Sequence, residues 1–141
     1  MTPAEIAESI DHYCSTAIAY TQSFGKRLDY SDDSIDDVEE ILDFYHQELV
    51  RTEEKPTQNQ IWSMAVVWGA YLGEVMRRKI GEPCGWMFED GEFHLEAAGA
   101  KAYPMGKAYK RIVNGPEDSV VSFFDIIGFH MKRHMDGIAE S

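Results

Sequence analysis

The sequence predicts an α+β fold in which about five helices pack around a small antiparallel sheet, with a hairpin turning at Asp90-Gly91. Three observations carry that prediction. Apolar residues recur at steps of three and four over several long stretches. Threonine-led capping boxes open two of those stretches. Between Gly81 and Tyr103 the helical pattern gives way to short runs flanking an Asp-Gly dipeptide.

The first helix starts at Thr2, with Pro3 at the first helical position and Glu5 where a capping box needs an acid. Ile6, Ile10, Tyr13, Ala17, Tyr20 and Phe24 then form one stripe ending at Gly25, a residue suited to a left-handed helix end. The second helix is predicted to start at the cap Ser31, with Tyr30 and Ile35 placed for a hydrophobic staple. Its buried face is Ile35, Val38, Ile41, Leu42, Tyr45 and Leu49. Thr57 to Gln60 repeats the capping box and opens a third helix that is apolar nearly all round through Trp62, Val66, Val67, Trp68, Tyr71 and Leu72, the pattern of a buried centre.

After Gly81 and Pro83, Trp86 to Glu89 and Glu92 to Glu96 read as hairpin strands, and a third short strand covers Ala100 to Tyr103. Pro104 starts a fourth helix that ends near Asn114-Gly115. Pro116 opens the last helix, with Val120, Phe123, Phe124, Ile127 and Met131 on one side. Lys132, Arg133 and His134 are expected in its final turn, where cations complement the helix dipole.

With 141 residues, 44% of them hydrophobic, the chain amounts to a single domain, residues 1–141. A domain of that size buries roughly 68–70% of its unfolded surface and folds alone. The longest apolar stretch, Ile61 to Gly73, falls short of the ~18–20 residues a bilayer crossing needs, so no membrane span is expected. The opening Met1-Thr2-Pro3-Ala4-Glu5 has neither the basic start nor the apolar core of a secretory signal, which points to the cytoplasm. Cys14 and Cys84 sit in no CxxC or metal-ligand spacing and read as free thiols, and no cofactor signature is visible. Thirteen basic and 25 acidic side chains leave a net charge of −12, which disfavours nucleic acid and anionic membranes and attracts a basic protein.

The charge is concentrated. Residues 29–54 hold eleven acids against the single base Arg51, a local charge of −10. Asp36, Asp37, Glu40 and Asp43 on the second helix are the residues expected to dock a basic partner, although acids near a helix N-terminus also form an ordinary solvated face. Asp29, Ser31, Asp33, Asp37 and Glu40 match positions of a calcium loop, but Ser34 stands where the turn glycine belongs and the segment reads as a helix.

Glu74, with Lys110 or Arg111, is the alternative site, a buried acid with bases that would hold a polar ligand or move a proton. Arg78, four residues after Glu74, offers the simpler reading of a helix salt bridge. Gly69 and Gly73 share a helix face and suggest a close helix approach. His130 and His134 have i,i+4 spacing that suits a metal, yet no further ligand run accompanies them, and no metal site is assigned. Trp62, Trp68, Trp86, Phe88 and Phe93 are expected in the core rather than on a ligand.

The run Gly69-Ala70-Tyr71-Leu72-Gly73-Glu74, Trp86, and Pro104 with Tyr109-Lys110-Arg111-Ile112-Val113-Asn114-Gly115 resemble a family of small bacterial domains of unknown function. Leu28-Asp29-Tyr30-Ser31 and Ser34-Ile35 resemble that family's second-helix start, so the likeness covers about residues 28–125. The resemblance implies a partner-binding or immunity role beside bacterial toxins and supplies no catalytic residue. Residues and resemblance together lead to the expectation of a non-catalytic binder of a basic bacterial effector.

Overall fold

The computed structural model describes residues 1–140 and has the element order α1 (Pro3–Thr21), α2 (Ser34–Arg51), α3 (Gln58–Ile80), β1 (Gly85–Glu89), β2 (Glu92–Ala97), β3 (Ala100–Ala102), α4 (Pro104–Asn114) and α5 (Val120–Glu140). Among the described residues, five helices and a three-stranded antiparallel sheet of order β1-β2-β3 make an α+β architecture, with the sheet packed beside α1, α4 and α5. Among the described residues no helix is long and apolar enough to cross a membrane.

Helix α3 is central because its middle is apolar apart from Glu74, whose carboxylate is satisfied by protein donors. Trp68 through Met76 are buried without interruption, and α4, α1 and α5 pack around it. Both threonine capping boxes form, Thr2 with Glu5 and Thr57 with Gln60. Along α1 the buried line is Ile6, Ile10, Cys14, Ala17 and Thr21, whereas Tyr20 is exposed. A 3₁₀ turn over Gln22–Phe24 closes α1 at Gly25, whose φ of 68° is left-handed.

Helix α2 starts two residues later than its sequence suggests, with Asp33 rather than Ser31 at the cap. Tyr71 on α3 explains the delay: its hydroxyl accepts from the Tyr30 backbone N–H at 2.8 Å and bonds the Ser34 hydroxyl at 2.7 Å. Those bonds hold Tyr30 at a φ of 65°, outside helical space. Residues 31–34 then turn through i→i+3 bonds, with Ser34 N–H reaching both the carbonyl and the hydroxyl of Ser31, before α-helical geometry takes over.

The β1–β2 hairpin turns at Asp90-Gly91, with φ of 54° and 79°, in the register Trp86↔Leu95, Met87↔His94 and Phe88↔Phe93. Ala98-Gly99 makes a second turn with both φ positive, and β3 stops at Ala102 rather than Tyr103. The last helix also begins later than Pro116. Residues Pro116–Asp118 form a 3₁₀ turn, and Ser119 is the effective cap, its hydroxyl accepting from Ser122 N–H at 3.2 Å. Because α5 continues to Glu140, Lys132, Arg133 and His134 lie inside it and not in its last turn, so the dipole explanation for them fails.

Candidate functional site

The acidic segment is helical from Ser34 onward, and that periodicity sorts its carboxylates onto two faces. Glu39 and Asp43 turn toward α4 and α5. Arg111 of α4, only 3% exposed, donates from Nε to Glu39 and from Nη2 to Asp43 at 2.7 Å. Glu39 also accepts from the Ser119 hydroxyl and from Val121 N–H at the start of α5. One guanidinium and one carboxylate therefore join three helices. Burial disfavours the Arg111 cation, but its bonds to Asp43 and Glu39 outweigh that and hold its pKa above the usual value.

The outward face carries Asp33, Asp36 and Glu40, and beyond them the exposed Phe44, Gln47 and Val50. Asp37 and Glu40 share Lys26 from the segment after α1, with Asp37 at 3.3 Å. Asp36 has no ion-pair partner among the described residues. Of the four expected docking residues, Asp36, Asp37 and Glu40 thus share one face, while Asp43 is committed to Arg111. Phe44 is 48% exposed although it packs edge-on against Phe24, so the acidic face borders apolar surface.

Glu74 does not meet Lys110 or Arg111. Its carboxylate is bound within α3 by Arg77, at 2.7 Å through Nε and again through Nη2, by Arg78 at 3.1 Å, and by the Trp86 indole N–H at 3.2 Å. Arg77, one helical turn away and overlooked in the sequence beside Arg78, makes the stronger forked pair. Lys110 is exposed on α4. The acid–base constellation of the alternative site is not assembled, because Arg111 is turned to Glu39 and Asp43 of α2 instead. A cleft of about 360 Å³ lies between Glu74, Arg77, Trp86 and the start of α1, but all the carboxylate's strong partners are its own helix and sheet.

Burial raises the Glu74 pKa, and the bonds from Arg77, Arg78 and Trp86 overcome it, so the carboxyl titrates below the ordinary glutamate value. A depressed folded pKa stabilises the fold above the unfolded value of about 4.3, and this contribution is lost as pH falls through the folded value. Glu74→Gln should therefore cost about 1.5 kcal/mol at pH 7. Its deficit against the unaltered chain should shrink as both are acidified below pH ~4. Urea denaturation at pH 7 and pH 3 reads both quantities, and a deficit independent of pH would contradict this account.

The remaining candidates fall elsewhere. His134 Nε2 lies 2.9 Å from the Ala98 carbonyl, and among the described residues no further metal-ligating side chains gather with His134 and the exposed His130. The calcium-template residues do not wrap a loop, since Asp37 and Glu40 are helical and paired with Lys26. Trp68 is fully buried, and Trp62, Trp86, Phe88 and Phe93 pack against the core. Cys14 and Cys84 are free and buried, and burial pushes their thiols up to about 12 and about 11, which leaves neither activated. Glu89, His94 and Glu96, which the sequence reading does not single out, come together through the hairpin register. No family model, curated protein or solved structure matches the chain.

Proposed function

We propose that this chain is a non-catalytic protein-binding domain whose partner is basic, in the manner of a cytoplasmic immunity protein that neutralises a cognate bacterial toxin or effector. The observation that carries the reading is the outward face of α2, where Asp33, Asp36 and Glu40 run into the exposed Phe44 and Val50. Acids there speed encounter with a positive surface, and the adjoining apolar side chains supply area that becomes buried on contact. The net charge of −12 works in the same direction. Two buried free thiols suit a reducing compartment.

The test uses the purified chain and candidate basic effectors drawn from its genomic neighbourhood, scored for growth protection and for association kinetics. Because Asp43 holds Arg111, the variant that probes the face leaves it in place and carries Asp33→Lys, Asp36→Lys and Glu40→Lys. Its association rate constant should fall about tenfold at 0.1 M salt, since steering by charge changes on-rates by 10-fold or more. The difference should close toward 1 M, where the Debye length drops from ~10 Å to ~3 Å. Absence of binding and protection by the unaltered chain would sink the reading. Unchanged kinetics in the folded variant would remove this face from it.

A further inference from the structure

The sheet face turned away from α1 and α3 carries Met87 and Glu89 from β1, Glu92, His94 and Glu96 from β2, and Lys101 from β3. The opposite face is apolar, with Phe93 edge-on to Tyr13 and Trp86 against Gly73. A histidine at the centre of the polar face is unusual in being 2% exposed. The Tyr103 ring covers it, centroids 5.4 Å apart, and its Nε2 has no hydrogen-bond partner. An unpartnered buried polar atom is costly, so this nitrogen calls for a ligand.

Nε2 faces the Glu89 carboxylate, whose Oε1 is 3.4 Å away, beyond the 2.7–3.2 Å of an N–H···O bond. One donor atom each from Glu89, His94 and Glu96 lies within 4.8 Å of the other two. Donors held ~2.0–2.2 Å from a tetrahedral ion stand about 3.3–3.6 Å from one another. The Glu89–His94 pair already has that separation, and Glu96, partly exposed, closes the rest by rotating its side chain.

We propose that Glu89, His94 and Glu96 bind one divalent transition-metal cation of the zinc class. An imidazole nitrogen with two carboxylates suits such a borderline cation, whereas Ca²⁺ requires 6–8 oxygens. Three protein donors leave a fourth position for water on the exposed Glu89 side. With one donor on β1 and two on β2, the ion clamps the hairpin across its Asp90-Gly91 turn. Lys101 Nζ, 3.9 Å from Glu89, supplies positive charge there, and its half-exposed stem lets it move aside for the ion.

Titration of the chelator-treated whole chain with Zn²⁺ against a chromophoric chelator tests the site, with Co²⁺ absorption as a second readout. One ion per chain is expected, with the intense visible bands of low-coordinate Co²⁺. His94→Gln and Glu96→Gln should each weaken binding at least about tenfold. Lys101→Met, which removes the competing cation, should tighten it. Glu96 and Lys101 are near the surface, so their variants carry the test even where His94→Gln fails to fold by circular dichroism. The proposal is overturned by absence of Zn²⁺ binding in the unaltered chain, by affinity unchanged in both Glu96→Gln and Lys101→Met, or by loss of the bound ion on replacing His130 instead.

Discussion

Arg111→Met should lower the unfolding free energy by about 3 kcal/mol, the largest loss expected from any single polar substitution in this chain. Removing one partner of a buried ion pair typically costs about 3–5 kcal/mol, because the charge left behind keeps its desolvation and loses its compensation. Here two charges would be left, Glu39 and Asp43, and Asp43 being 40% exposed puts the loss at the lower end. For a chain of this length that amounts to roughly 10 °C in Tm. Arg111→Lys should recover only part of it, since an ammonium cannot offer the planar fork that reaches both carboxylates. A triple variant adding Glu39→Gln and Asp43→Asn to Arg111→Met should be more stable than Arg111→Met alone, because no uncompensated charge remains. Urea unfolding curves decide it: a loss under about 1 kcal/mol in Arg111→Met would mean that the guanidinium does not hold α2, α4 and α5 together.

That ion pair also marks the boundary of what the sequence discloses. Arg111 lies 72 residues from Glu39 and 68 from Asp43, and no local spacing connects them. Read along the chain, Arg111 is equally able to serve Glu74, and Asp43 reads as a docking acid beside Asp36, Asp37 and Glu40. Their pairing depends on where α4 crosses α2, which is a property of the packed core. The start of α2 is a similar case: Ser31 has the composition of a cap, but a tyrosine 41 residues from Tyr30 holds the preceding backbone in a left-handed turn. The Glu89, His94 and Glu96 group was within reach of the sequence, since a two-residue turn at Asp90-Gly91 fixes the register and side-chain alternation then puts all three on one face. What the sequence does not carry is the burial of His94, which Tyr103 brings about from beyond the sheet.

Features governed by neighbours three or four residues apart were legible. Both capping boxes, the buried stripe of α2, the all-round burial of α3 between Trp68 and Met76 and the Asp90-Gly91 turn each follow from local chemistry that tertiary packing reinforces. The same locality accounts for Glu74, whose partners Arg77 and Arg78 lie one turn along its own helix. The outward face of α2 was visible as charge, but which acids remain free on it required knowing that Lys26 and Arg111 come to meet it.

Gly69→Ala should be destabilising by about 2–3 kcal/mol even though alanine is the better helix former by about 1 kcal/mol. A methyl group at residue 69 would land on the Met105 backbone, 2.7 Å from its nitrogen, and backbone cannot rotate out of the way as a flexible side chain can. The helices α3 and α4 would have to separate, and this is the most extensive helix–helix packing in the fold. At residue 73 the added carbon meets the Trp86 ring and Pro104 Cγ, the latter at 2.9 Å, so Gly73→Ala should displace the indole that donates to Glu74. Gly128 in the interior of α5 provides the control, because nothing lies within 4 Å of a Cβ built there. Gly128→Ala should stabilise the chain by up to about 1 kcal/mol through helix propensity alone. Opposite signs at the two glycines, measured by the shift in urea midpoint at constant slope, are the expected result. If Gly69→Ala proves as stable as the unaltered chain, α3 and α4 do not approach as closely as their glycine contact implies.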